Sequence, residues 1–161
     1  NTFNYKNFDF SFFVVGFHGF DIYNATHQMG YNLIKSQQMA GVTPMRELLN
    51  RWTPTNTNTD IPGFVKGGTE NKDFFSTRFV ENGSFIKMKS ITLGYTLPEA
   101  TCRSLGINNL RVYASVQNPF HITKYSGLDP EATMGSPLVQ GVDWGAYPNS
   151  RNYLIGLNFS F

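Results

Sequence analysis

The segment Arg151-Asn-Tyr-Leu-Ile-Gly-Leu-Asn-Phe-Ser-Phe161 alternates residue by residue. Its odd positions, Tyr153, Ile155, Leu157, Phe159 and Phe161, are all apolar or aromatic. The even positions, Asn152, Leu154, Gly156, Asn158 and Ser160, are small or polar apart from Leu154. Successive side chains of a strand point to opposite faces, so this segment is a strand with one wholly apolar face. Three further segments share the pattern. Leu110 to Asn118 sets Leu110, Val112, Ala114 and Val116 against Arg111, Tyr113, Ser115 and Gln117. Within Ser84 to Leu97, Ile91, Leu93, Tyr95 and Leu97 oppose Ser90, Thr92, Gly94 and Thr96. Phe8, Phe10, Phe12 and Val14 oppose Asp9, Ser11, Phe13 and Val15, less cleanly because Phe13 and Val15 are themselves apolar.

Four such faces need something apolar to lie against, and the composition says it is not a soluble surface. Of 161 residues, 13 are Lys or Arg and 11 Asp or Glu, so charged residues make up 15%, well under the ~25% usual in soluble domains. Aromatic residues reach 16% and there are 16 Asn. A net charge of +2 supplies no basic stripe for neutralising phosphates, which argues against a nucleic-acid partner. The single cysteine, Cys102, excludes an internal disulfide framework and a thiolate zinc site. No uninterrupted apolar run reaches about 18 residues, so a membrane would have to be crossed by a closed β-barrel. The chain opens without an initiator Met, in Asn1-Thr-Phe-Asn-Tyr5, which already reads as strand. It is expected to be the C-terminal piece of a longer protein.

The connections give direction. Between the four strands run about 65, about 12 and about 30 residues, a long-short-long order unlike the short loops of a soluble sandwich. Outer-membrane barrels have short periplasmic turns and long extracellular loops. Pro98 to Asn109 is then periplasmic, the other two connections are extracellular, and the last strand ends at the periplasmic rim.

In the first long loop, Thr43-Pro44 followed by Met45, Leu48, Leu49 and Trp52 predicts a short amphipathic helix over Thr43 to Trp52, with Thr43 as its cap and Pro44 at its first position. Trp52-Thr-Pro-Thr-Asn-Thr-Asn-Thr-Asp-Ile-Pro-Gly63 is a turn-rich exit. The second loop, Tyr125 to Ser150, is rich in Gly and Pro and carries Asp129, Glu131 and Asp143.

Collinear motifs along nearly the whole chain resemble one family. They are Tyr5-Lys-Asn-Phe-Asp-Phe-Ser11, Arg51-Trp-Thr-Pro54, Asn82-Gly-Ser-Phe-Ile-Lys-Met-Lys-Ser-Ile-Thr-Leu-Gly-Tyr-Thr-Leu-Pro98, Val112-Tyr113, Gln117-Asn118, Lys124-Tyr-Ser-Gly-Leu-Asp-Pro-Glu131 and the terminal Phe161. Together they resemble the C-terminal end of a SusC/RagA-type TonB-dependent outer-membrane transporter of the Bacteroidota. Met29 to Val42 and Lys66 to Asp73 have no counterpart in it. The resemblance implies an all-β fold: residues 1–161 would form the last four strands of a barrel of about 22, with two long extracellular loops, one carrying a short helix. It also implies an N-terminal plug and a TonB-contacting segment, neither of which these residues contain. It implies import of oligosaccharides, glycans or peptides, with a SusD-like lipoprotein as a lid over the mouth. The terminal face Tyr153, Ile155, Leu157, Phe159 and Phe161 resembles the signal by which the barrel assembly machinery engages a last strand. A terminal strand adds edge to edge, and an apolar face with an aromatic end gives it a register. The same face suits contact with outer-membrane lipid.

Other candidate sites read as follows. Counting in phase from Ile91 points Lys87 and Lys89 to lipid at the outer interface, the favoured placement, with their ammonium groups snorkelling. A β-bulge near Lys89-Ser90 would instead turn Ile86 and Met88 outward and both lysines into the lumen. Asp129, Glu131 and Asp143 offer oxygens for Ca²⁺, but without the ladder spacing of a calcium loop, and an Asp-Pro turn opener is preferred. His18, His27 and His121 lack ligand spacing and read as surface or loop residues; Cys102 reads as an inert thiol. No nucleophile elbow, zinc-protease helix or P-loop appears, so the chain is expected to be no enzyme and to use no cofactor or metal. The loop aromatics Tyr23, Tyr31, Trp52, Phe64, Trp144 and Tyr147 could stack on a sugar or pack within the loops. Trp144 and Tyr147, flanking Gly145, are nominated for contact with lid or substrate.

The expected function is TonB-dependent nutrient import across the bacterial outer membrane, by binding rather than chemistry. A soluble all-β glycan-binding module is the alternative, but its outer faces should carry charge. A barrel adhesin without transport is the other, and a plug upstream would exclude it.

Overall fold

In a computed structural model, residues 1–31, 44–63, 75–131 and 141–161 are described. In chain order the strands and helices are β1 (Thr2–Tyr5), β2 (Phe8–Phe17), β3 (Asp21–Asn24), α1 (Ala25–Tyr31), β4 (Val80–Asn82), β5 (Phe85–Thr96), α2 (Glu99–Ser104), β6 (Asn109–Thr123), β7 (Val142–Asp143) and β8 (Asn152–Ser160). Two 3-10 turns, Arg46–Asn50 and Thr77–Phe79, lie between α1 and β4. No described helix is long and apolar enough to cross a membrane. The chain divides into two compact units, a wall unit of Asn1–Phe20, Gly83–Lys124 and Pro148–Phe161, and a loop unit of Asp21–Asn82 and Tyr125–Tyr147.

The wall unit is an antiparallel sheet in the order β1-β2-β5-β6-β8. The four periodic segments are β2, β5, β6 and β8; β1 is one strand more, too short for periodicity to announce it. It pairs with β2 through the Lys6-Asn7 turn, where Lys6 has φ 51°. Asn7 fixes that turn to the end of β5: its side chain donates to the Thr96 carbonyl at 2.8 Å, and its own carbonyl accepts from the Thr96 N–H at 2.8 Å. β6 outruns its predicted end at Asn118 because pairing resumes beyond Asn118-Pro119, through Phe120 to Thr123.

Register lines up the apolar positions on one face. Phe10, Leu93, Ala114 and Ile155 are successive partners across the sheet, as are Phe8, Tyr95, Val112 and Leu157. Phe8 and Tyr95 rings lie 4.7 Å apart. Phe8, Phe10, Leu93, Tyr153, Ile155, Leu157 and Phe159 are exposed on this sheet. An apolar face of this extent has to be covered, and hydrocarbon covers it in a membrane barrel. The other face is polar: the Thr92 and Ser115 hydroxyls are 2.8 Å apart, and Asn152 donates to Gln117 at 3.3 Å. There Asp9 of β2 takes two hydrogen bonds from Arg111 of β6, at 2.9 and 2.6 Å.

The interfacial placement does not hold for Lys87. Register shifts on both sides of β5, between Phe13 and Val14 of β2 and between Met88 and Ser90 against β6, step over Lys89 in both ladders: it is a bulge. Past a bulge the alternation reverses relative to a simple count. Met88 therefore pairs with Val14 and Phe120, and Ile86 with Gly16 and Ile122, continuing the apolar face. Lys87 falls in phase with Phe85 on the opposite face and is buried. The bulge also lengthens the apolar band beyond Ile91 to Ile86.

The loop unit has its own core. Ile22, Ala25, Leu48, Ile61, Phe79 and Tyr125 are buried. Tyr23, Tyr31 and His27 place their rings around Phe79 at 6.0 to 6.4 Å. A sheet in the order β4-β3-β7 joins strands of both long loops, with β3 and β7 parallel through Tyr23–Val142 and Asn24–Asp143.

Instead of the amphipathic helix predicted over Thr43 to Trp52, the described part forms the 3-10 turn Arg46–Asn50. With three residues per turn, Met45 and Leu48 share a side while Leu49 leaves it. Leu48 is 8% exposed and Leu49 78%. Thr43 and Phe64, all of Lys66 to Asp73 and most of Met29 to Val42 lie outside the described residues.

Candidate functional site

The loop unit is built around two carboxylates. Asn24, at the end of β3, caps α1: its Oδ1 accepts the His27 N–H at 2.8 Å. Its Nδ2 donates to Glu81 Oε1 at 3.0 Å and to the Ser126 hydroxyl at 3.2 Å. Glu81 also accepts from the Ser126 hydroxyl at 2.7 Å and the Ser126 N–H at 2.8 Å, and its Oε1 lies 3.4 Å from His27 Nδ1. Burial alone would raise the pKa of Glu81, but the hydrogen bonds from Ser126, Asn24 and His27 favour the charged form and hold it below the usual carboxylate range.

Asp143 is the second centre. The Tyr125 hydroxyl donates to its Oδ2 at 2.6 Å, and its Oδ1 accepts the N–H groups of Gly145 and Ala146 at 2.8 and 3.2 Å. Burial, reinforced by the bond to Asp143, pushes the Tyr125 hydroxyl well above the ordinary phenol range.

Between these centres opens a pocket of about 310 Å³. The first long loop lines it with Asn24, Thr26, His27, Met45 and Glu47, the second with Ser126, Gly127, Leu128, Asp143, Gly145 and Ala146. Trp144 and Tyr147 bracket the Gly145-Ala146 turn at its edge, 47% and 92% exposed, with Gly145 at φ 85°. Tyr23 and Tyr31 belong instead to the cluster around Phe79. Both loops contribute walls to this pocket.

The remaining nominated residues are placed as follows. Asp129 accepts the Glu131 N–H at 3.1 Å, which is the turn opener. Asp143 is engaged in the opposite part of the loop, and no three His, Cys, Asp or Glu side chains among the described residues are grouped to hold a metal ion. His18 and His121 are exposed. His27 is more than a surface residue, being packed at 4.8 Å from the Tyr31 ring and held at Glu81. Cys102 is buried within α2, its Sγ 3.8 Å from the Leu97 carbonyl. Phe161 and the apolar face of β8 are exposed, and its two final rings meet edge to face at 5.4 Å. Sequence reasoning missed Asn24, Glu81, Tyr125 and Ser126. Only Asn24, ahead of Ala25-Thr-His27, carried a readable cap signal.

No family profile matches the chain. The chain is 36% identical, over its whole length, to TonB-dependent receptor P3 of Formosa agariphila, and spans 16% of that protein. It is 34% identical over 98% of its length to TonB-dependent receptor SusC of Bacteroides thetaiotaomicron, spanning 14% of it. The chain matches a C-terminal segment of SusC/RagA-type TonB-dependent receptors. Among solved structures, that of the RagAB peptide transporter superposes with a TM-score of 0.77 at 30% identity, covering 96% of this chain and 16% of that one. As in these receptors, the wall unit of this SusC/RagA-type segment is a piece of outer-membrane β-barrel, open here at β1 and β8. The relatives are receptors and transporters rather than enzymes.

Proposed function

We propose that the protein containing this segment imports a bulky nutrient, an oligosaccharide, glycan or peptide, across the outer membrane, powered through TonB and assisted by a SusD-like surface lipoprotein over its mouth. The observation carrying this reading is that the likeness to SusC runs over 98% of the chain, through wall and loops alike, where a shared barrel wall alone would support only a shared anchor. Residues 1–161 serve as the C-terminal part of the barrel, and the plug lies elsewhere in the protein. Trp144 and Tyr147 contact lid or substrate, since both are exposed beside the pocket.

The test is growth of the native bacterium on single oligosaccharides and peptides, with the gene intact, deleted, or carrying Trp144→Ala and Tyr147→Ala. Loss of growth on at least one nutrient after deletion, and weakened lid co-purification or capture in the double variant at normal surface abundance, is the expected outcome. Full growth on every nutrient, with adhesion lost instead, would replace import by a surface-anchor role. The assembly role of Tyr153, Ile155, Leu157, Phe159 and Phe161 is tested separately. Phe161→Ala should lower the heat-modifiable, folded fraction on a gel without changing substrate affinity per folded molecule.

A further inference from the structure

We propose that Glu81 is the positioning residue that clasps the two long loops into one body and thereby builds the pocket between them. Glu81 belongs to β4, at the end of the first loop, yet both of its oxygens are bonded to Ser126 of the second, through the hydroxyl on Oε1 and the N–H on Oε2. Asn24 ties α1 to the same arrangement by bonding Glu81 and Ser126 together, and His27 approaches from the next turn. Hydrogen bonds to an ionised acceptor are about twice as strong as neutral ones, and one carboxylate here gathers them from both loops. The pocket uses the result directly, because Asn24, His27 and Ser126 line it. The other links among the described residues lie around β7: the two residue pairs of parallel β3–β7, the Tyr23 N–H on the Gly141 carbonyl at 2.7 Å and the Thr26 hydroxyl on the Asp143 carbonyl at 3.4 Å. The clasp holds the Ser126 end of the second loop, which these links do not reach. The inference concerns loop coupling and is independent of which nutrient passes.

The test is amide hydrogen exchange, read by mass spectrometry on the purified full-length receptor. Glu81→Ala should speed exchange of Tyr125–Glu131 and Val142–Tyr147 roughly tenfold or more, the scale of losing charge-assisted bonds, while β5, β6 and β8 keep their protection. Glu81→Gln makes a finer cut. Its carbonyl can replace Oε1 and keep Asn24 and the Ser126 hydroxyl, but its NH₂ then faces the Ser126 N–H, donor against donor. Exchange should accordingly rise at Ser126 and its neighbours while His27 stays protected. Unchanged exchange in the second loop in both variants overturns the proposal, as does Glu81→Gln loosening the wall as much as the loops. Should Glu81→Ala fail to fold, the Glu81→Gln pattern decides alone. Since exchange is read without substrate, its result is separable from any failure of the import reading.

Discussion

Asp9 and Arg111 lie on strands that do not touch, and they meet over Gly94. β5 runs between them, Gly94 is the partner of Asp9, and a Cβ built there would strike both the carboxylate and the guanidinium. The missing side chain of β5 is what lets β2 and β6 be linked by a two-pronged ion pair. Such forked geometry is the strongest form of an Arg–carboxylate bond.

Gly94→Ala should therefore act through that pair alone. The colliding atoms are side-chain tips that can swing away, so the expected cost is the ion pair, about 0.5 to 1 kcal/mol at side chains 27% exposed. In an Asp9→Ala background the same substitution should cost almost nothing. The midpoint of heat-induced unfolding on a gel measures both, and equal costs in the two backgrounds would sever Gly94 from the pair.

Leu48 and Leu49 are adjacent but have different fates. Leu48→Asp buries a carboxylate without a partner and should destabilise the loop unit by about 3 kcal/mol or more. Leu49→Asp, at a position 78% exposed, should change stability by no more than about 0.5 kcal/mol. Limited proteolysis of the two single variants reports the difference, and matching susceptibility would restore the helical reading of this segment.

Ile86 and Lys87 should see different surroundings. Nitroxide labels at Ile86→Cys and Lys87→Cys, each in a Cys102→Ser background, distinguish lipid from protein or water through collision with dissolved oxygen. High oxygen accessibility is expected at position 86 and low at position 87. The reverse would mean that the bulge at Lys89 does not form in the membrane.

Acid should loosen the loops before the wall. Glu81 has a folded-state pKa below that of an unfolded Glu, about 4.3. Its stabilisation is then complete above that value and is lost as pH falls through the lower, folded one. Pepsin, which works in this range, should cut the loops of the native receptor increasingly below pH about 4, and Glu81→Gln should show a flatter dependence. A parallel response of both proteins would detach the effect from Glu81.

What could be read from the residues was whatever repeats. The apolar faces of β2, β5, β6 and β8 repeat along each strand. What could not be read was set by partners distant in the chain. β3, β4 and β7 have four, three and two residues, too few for any period, and they exist because each finds the others. Counting in phase does not choose between a regular strand and one bulged near Lys89-Ser90; the register of the partner strands does. Glu81 sits in Val80-Glu-Asn82 with no local signal at all; its importance comes from Ser126.

The parallel pairing of β3 with β7 has a consequence for how such receptors diversify. A hairpin loop can be exchanged between relatives as one continuous segment, because its ends are neighbours on the wall. Here Tyr23 and Val142 share a ladder, and everything in β5, α2 and β6 is encoded between them. A chimera that receives one loop without the other inherits half a sheet, so recombination that keeps the protein folded has to carry the two loops as a pair.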